Sequence, residues 1–266
     1  MSRREAQAAT VSAAAVPAAA GTAATSQTLD RGLQVLEAVA RAGDPVTVAE
    51  AAASVGLDRT VAHRLVATLA ARGYLQRDGR GGYRLGPTCL ALASAITDLR
   101  TMARPFLEEL GDATGETVHL VVLSGREVVF LDGIESVHAL RVGSRTGRVL
   151  PAHSTSVGKA LLAALPPEQL RALYEHADLV AVTARTITDR DVLERQLAAI
   201  RERGYATNHG ESENGVGSIG MAVRNPAGEP RAALSVALPL ERWSEEAEQQ
   251  AAAALRSAAA TLGAHL

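Results

Sequence analysis

Apolar side chains recur along residues 27–42 at Leu29, Leu33, Leu36 and Val39 or Ala40, spacings of three and four that predict an amphipathic helix. Gly43-Asp44-Pro45 stops it. Thr47-Val48-Ala49-Glu50 is a capping box opening a short second helix that ends near Val55-Gly56. Asp58 can cap a third helix, Arg59 to Ala71, with Val61, Leu65 and Leu69 toward the core and Gly73 at its end. Two short strand patterns, 74–77 and 83–86, flank the glycine-rich loop 78–82 and predict a β-hairpin. The order is helix, helix, tight turn, helix, hairpin.

Beyond Pro87 the spacing of Leu90, Ala93, Ile96 and Leu99 predicts a helix to about Met102, a connector or a dimer contact. Pro105 is placed near the start of a further helix that ends around 111–115. Strands are expected at 117–123, 128–134, 139–142, 205–208, 218–223 and 232–238. Helices are expected at 157–164, at 168–176, from an Asp189 cap to Arg203, and from Ser244 to the C-terminus. Strands joined by tight turns and by helices predict an α+β domain with a mainly antiparallel sheet. The expected division is a disordered tail (1–26), a winged helix-turn-helix (27–86), a linker helix (87–102) and a larger C-terminal domain (103–266), to which the resemblance described below assigns effector binding.

Charge changes how the first unit is read. The whole chain has a formal net charge of −2, an unpromising value for a nucleic-acid binder. Residues 27–86, however, hold eight arginines against six acidic residues, and residues 58–86 hold six arginines against two aspartates. Phosphate affinity follows the local field, so a basic head sits on an acidic body. The single cysteine, Cys89, excludes an internal disulfide and a cysteine-based zinc cluster, and fits a reducing cytoplasm. No apolar run reaches the length of a membrane helix. Arg3 and Arg4 before an alanine-rich stretch look like a secretory leader only until Gln7, Thr10, Ser12 and Pro17 interrupt it, so the tail is read as disordered.

A helix pair with a short glycine-containing turn holds its second helix so that the first turns enter the DNA major groove. Arg59, Thr60, His63 and Arg64 occupy those turns; arginine donates twice to guanine, and threonine bonds a base or touches a thymine methyl. Arg80 lies among glycines at the hairpin tip, with Arg77 and Arg84 on its arms, a wing suited to phosphate or minor-groove contact. Taken singly, these side chains read equally well as the solvated surface of a helical bundle; their order along the chain favours DNA.

The stretch from Leu57 to Leu69 (LDRTVAHRLVATL), followed by Gly73-Tyr74 and by Tyr83-Arg84-Leu85-Gly86, resembles the recognition helix and wing of the IclR family of bacterial regulators. Further similar motifs follow in that family's order: Gly115–Leu120, Val142–Arg145, Gly158–Ala163, Arg203-Gly204-Tyr205 and Gly215-Val216. The resemblance covers roughly residues 27–266. It implies a GAF-like effector domain, a homodimer or dimer of dimers, a palindromic double-stranded operator, and a small organic acid or related metabolite as ligand, with repression of a catabolic operon as the commoner outcome and activation as the alternative.

Ser154, Thr155 and Ser156 precede the helix near Val157. Hydroxyls and free amides at a helix N-terminus form a natural anion site, although an ordinary serine-rich cap reads the same way. The resemblance implies effector contacts at Ser156 and Val157, Asn208, Ser218, and Ser235 with Ala237. Asn208 stands where the family commonly has aspartate, Ser218 where it has cysteine, and Ala237 lacks a hydroxyl sometimes found there. The implied pocket stays polar with less charge.

An enzyme is the competing reading. Lys159, the one lysine in the chain, invites Schiff-base chemistry, and His119, His138 and His153 are possible bases. No metal-ligand spacing and no nucleophile-elbow context accompanies them, so no catalysis, cofactor or metal is expected. A protein-binding scaffold is the third reading; steep salt dependence of DNA affinity separates it from a regulator.

Overall fold

The computed structural model describes residues 26–94, 97–175 and 177–266, in two compact units that divide between Ser94 and Ala95. The expected tail, apart from Ser26, lies outside the described residues, as do residues 95–96 of the expected linker helix and His176.

In the first unit α1 (Gln27–Ala42), α2 (Val48–Ser54) and α3 (Arg59–Ala71) precede a hairpin of β1 (Leu75–Arg77) and β2 (Tyr83–Leu85) and a short helix α4 (Pro87–Ser94). The cap chemistry appears as read. The Thr47 hydroxyl accepts from the Glu50 amide while the Glu50 carboxylate accepts from the Thr47 amide, and the Asp58 carboxylate accepts from the Thr60 amide at 2.7 Å. Gly56, in the turn between α2 and α3, has φ +64°, a left-handed conformation that glycine adopts without a Cβ penalty.

The apolar stripes sit differently from the expectation. On α1 the buried positions are Gly32, Val35, Ala38 and Val39, whereas Leu29 and Leu33 are 63 % and 48 % exposed. On α3 they are Ala62 and Val66; Val61 is exposed, and Leu65 and Leu69 are half-buried. The core is Val35, Val39, Ala51, Val66 and Leu75, with Leu36, Val46 and Tyr83 packed around it. Leu65 packs beside Gly32, where an added Cβ would make only ordinary contact with its Cδ2, at 3.8 Å.

The second unit is three-layered. Its sheet has strand order β5-β4-β3-β8-β7-β6, every neighbouring pair antiparallel. The strands are β3 (Thr117–Ser124), β4 (Glu127–Ile134), β5 (Val149–Pro151), β6 (Ala206–His209), β7 (Val216–Arg224) and β8 (Pro230–Pro239). On one face α5 (Thr97–Thr114) and α9 (Glu245–Gly263) bury Leu107, Leu110, Leu255 and Leu262 against Val118, Leu120, Ile219 and Leu234. On the other, α6 (Ser156–Ala164), α7 (Pro167–Tyr174) and α8 (Arg190–Arg203) bury Leu161, Leu162, Leu193 and Leu197 with Val121, Ala206 and Ala233.

Three expectations need correction. The helix expected to end near Met102 does not: α5 runs unbroken from Thr97 to Thr114, across the expected boundary at 102–103. Pro105 lies inside α5, not near its start; Ala103, Leu107 and Leu110, spaced four and three, are fully buried and carry one stripe across the proline. No strand forms at 139–142: Ala139, Leu140 and Arg141 are exposed, and the carbonyls of Leu140 and Val142 accept from side chains, Arg242 at 2.7 Å and Thr117 at 2.6 Å. The strand beside β4 is instead Val149–Pro151, which pairs with 127–129.

Candidate nucleic-acid interface and ligand site

Arg59, Thr60, His63 and Arg64 are all exposed on the first two turns of α3. Burying Ala62 and Val66 turns these four side chains to solvent. Arg77, Arg80 and Arg84 are exposed on the hairpin. The hairpin tip is built by Asp78, whose carboxylate accepts from the amides of Arg80 at 3.1 Å and Gly82 at 2.6 Å. Its second strand is braced by Val46, which exchanges backbone hydrogen bonds of 2.8 and 2.9 Å with Tyr83. Among the described residues none of these arginines forms an ion pair, whereas Arg41 on α1 does with Glu37. The guanidinium groups are thus presented to solvent.

In the second unit the sheet alternation sends Asn208, Ser218, Gly220, Ser235, Ala237 and His119 to the face that α6 covers, because Asn208 pairs with Ser218, Ser218 with Ala237, Gly220 with Ser235, and Ser235 with His119. The start of α6 rests directly on that face. A Cβ on Gly220 would lie 2.6 Å from both the Ser156 carbonyl carbon and the Val157 nitrogen, so only glycine admits this approach. Ser156 and Ser218 share a 2.8 Å hydroxyl contact. Asn208 is a hub: its amide donates to the Ser154 carbonyl at 2.6 Å and to the Ser212 hydroxyl at 3.2 Å, and its carbonyl accepts from the Glu211 amide at 2.9 Å. Thr155 caps α6 by accepting from the Gly158 amide at 3.0 Å, leaving the amides of Ser156 and Val157 without intrahelical acceptors.

The structure therefore gathers Ser154, Thr155, Ser156, Val157, Asn208, Ser218 and Ser235 into one cluster. All but Ser218 are buried, at 0–3 % exposure, and Ser218 is half-buried. Two open cavities lie elsewhere in this unit: one of about 190 Å³ beside Ala160, Ile200 and Arg224, the other of about 110 Å³ beside Glu116, Arg242 and Gln250.

Sequence reasoning named Lys159 and His119 but missed Arg145 and the partners that all three find around the cluster. Lys159 is 1 % exposed, with its ammonium 2.7 and 2.8 Å from the two Glu211 oxygens and 3.0 Å from Gln196 Oε1. Burial pushes its pKa down against the pull of Glu211, and the enclosed pair is structural, with no free amine for Schiff-base chemistry. Arg145 is buried and donates to Glu213 at 2.7 Å and to Ser212 at 3.4 Å, its guanidinium 6.0 Å from the Phe130 ring centroid. His119 Nε2 accepts from the Arg145 amide at 3.3 Å. The Val142–Arg145 motif held the signal for Arg145, but nothing local assigns it partners some 67 positions away.

An exposed, unpaired basic helix and wing in one unit, and a buried polar cluster in the other, define a DNA-binding transcriptional regulator with a second domain. Residues 28–79 match the IclR helix-turn-helix domain, and residues 91–264 match the bacterial transcriptional regulator IclR C-terminal domain. The chain belongs to the IclR family of bacterial transcriptional regulators. It is 35 % identical over 214 residues to the HTH-type transcriptional regulator XynR of Escherichia coli K12, covering 79 % of this chain and 85 % of that one. It is 32 % identical over 238 residues to the transcriptional repressor IclR of the same strain, covering 86 % and 87 %. An IclR homologue of Microbacterium hydrocarbonoxydans, solved in complex with 4-hydroxybenzoate, superposes with a TM-score of 0.75 at 30 % identity, covering 89 % of this chain and 97 % of that one. These relatives are regulators and not enzymes. No helix among the described residues is long and apolar enough to cross a membrane.

Proposed function

We propose that this regulator binds a palindromic operator as a homodimer or dimer of dimers and releases it when a small organic acid occupies the cluster between α6 and the sheet. The observation that carries the ligand reading is a concentration of hydroxyl, amide and first-turn N–H groups on an otherwise apolar sheet face, against a helix start whose backbone favours negative charge. The relative that holds 4-hydroxybenzoate supports an organic acid as the class of ligand. Arg59, Thr60, His63 and Arg64 read bases, while Arg77, Arg80 and Arg84 position the wing. Residues 87–102 serve as the connector between operator-binding and effector-binding domains. The acid acts only through different affinities for the DNA-competent and DNA-incompetent states. Repression of a catabolic operon is the outcome we assign.

The test is titration of the DNA flanking the regulator's own gene with the full-length protein, with and without members of a panel of small carboxylates. A carboxylate that raises the melting temperature and lowers operator affinity supports repression relieved by ligand. One that raises operator affinity favours activation or co-repression. The absence of any effect across the panel contradicts an organic acid.

A further inference from the structure

The imidazole of His119 carries a polar atom with nothing to bond. The side chain is 1 % exposed, and its Nδ1 is buried without a hydrogen-bond partner, one of two such side-chain atoms among the described residues. Nε2 is used, accepting the Arg145 amide, so in the neutral ring the proton resides on Nδ1. Burial, with the Arg145 charge nearby, pushes this histidine down to about 3, so the ring is neutral at ordinary pH. An N–H donor is therefore held out of water with no acceptor, an arrangement that is costly when nothing compensates it.

The register shows where this donor points. On β4, Gly133 lies directly beside His119, and a Cβ there would meet His119 Cδ2 at 3.0 Å. Phe130, also on β4, packs edge-on against the ring at 5.2 Å between centroids. The Cδ2 edge thus faces β4, and the Nδ1 edge faces the other neighbour, β8, where Ser235 is the directly paired residue. Ser235 pairs in turn with Gly220 on β7, which carries the backbone of Ser156 and Val157. His119, Ser235 and Gly220 therefore form a row across three strands, and two strand spacings set its ends about 9.5 Å apart. The histidine stands at one end, the start of α6 at the other, and the Ser235 hydroxyl between them.

We propose that His119 is a direct effector contact, whose Nδ1–H donates to an acceptor oxygen of the molecule held at the other end by the α6 N-terminus. This rests on the ligand reading of the cluster and adds to it a residue and a chemical requirement. The effector carries a second acceptor oxygen, a hydroxyl, carbonyl or carboxylate, on the side away from α6. Because the ring is neutral, that contact needs no negative charge.

The experiment uses the full-length protein as wild type, His119→Leu and His119→Asn, titrated calorimetrically with a panel of mono- and dicarboxylates running from acetate to 4-hydroxybenzoate. Asparagine places an amide N–H near the position of Nδ1, whereas leucine offers no donor. For a panel member that binds wild type, leucine weakens binding about tenfold or more and asparagine restores most of it. Equal binding by wild type and the leucine variant overturns the proposal and leaves the ligand reading of the cluster standing. Failure of wild type to bind any of the panel overturns both. Should the leucine variant not fold, the 15N spectrum of the wild-type imidazoles decides. The Nδ1–H tautomer, with its proton shifted downfield by the bound carboxylate, supports the contact; an Nε2–H tautomer, or a resonance unmoved at saturation, overturns it.

Discussion

Ser156 and Ser218 stand 62 positions apart in the chain, yet their hydroxyls meet at 2.8 Å where the start of α6 lies on β7. This contact closes one side of the polar cluster. Ser218→Ala removes one partner at a cost of about 1 kcal/mol in stability. It leaves ligand-free operator affinity within about twofold of wild type, a difference under roughly 0.5 kcal/mol, and changes the response to whichever carboxylate raises the wild-type melting temperature. Equal loss of DNA binding with and without that carboxylate makes Ser218 structural.

The two parts of the DNA interface separate by salt. Arg64→Ala on α3 weakens operator binding by about 1–3 kcal/mol and relaxes preference at one base position, as expected for a paired base contact. Arg80→Ala at the wing tip weakens operator and unrelated DNA alike and reduces the slope of log affinity against log salt by about 1. Anisotropy titrations of both variants at several salt concentrations check this, and interchanged behaviour contradicts the assignment of helix and wing.

Lys159 and Glu211 are a buried pair, at 1 % and 10 % side-chain exposure. Lys159→Met strands the Glu211 carboxylate and destabilises the protein by about 3–5 kcal/mol, and adding Glu211→Leu recovers most of that loss, because removing both charges removes the uncompensated one. Urea unfolding of the single and double variants measures both. A single variant as stable as wild type contradicts the structural role.

Acid acts through His119. Its free-chain value is 6.5 and its native value about 3, so below pH 6.5 the unfolded chain binds a proton that the native state refuses. The stabilisation is fully present above about 6.5 and is lost as pH falls toward 3. His153 and His209, also lowered by burial, act in the same direction. Unfolding free energy therefore falls between pH 7 and 4.5, and His119→Asn makes that fall shallower while His153 and His209 preserve part of it. A slope unchanged by His119→Asn contradicts the buried neutral ring.

Local chemistry was legible wherever neighbours in sequence are neighbours in space. The Thr47 capping box, the Asp58 cap, the hairpin and most elements of the second unit follow from spacing and cap residues. Leu29, Leu33 and Val61 misled because periodicity finds a stripe without knowing which side a partner helix approaches; the sides that carry Gly32 and Ala62 are the ones buried. Proline suits a first helical turn, which is why the sequence places Pro105 near a helix start; inside α5 it costs one helical hydrogen bond, a loss outweighed by three buried side chains of the same helix. The cluster residues Ser156, Asn208, Ser218 and Ser235 followed from family motifs, whereas Arg145, Glu211 and the turned edge of His119 depend on strand register and on contacts across 26 to 68 positions.

Operator binding is controlled, in the function proposed above, by a ligand on the second domain. The most direct measurement is the affinity of the full-length protein for the DNA beside its own gene, against an unrelated fragment of equal length, with and without a carboxylate that raises its melting temperature. Tighter binding to the adjacent fragment, steep weakening with salt, and loss of that preference when the carboxylate is present are expected. Equal affinity for both fragments, unmoved by the carboxylate, contradicts that control.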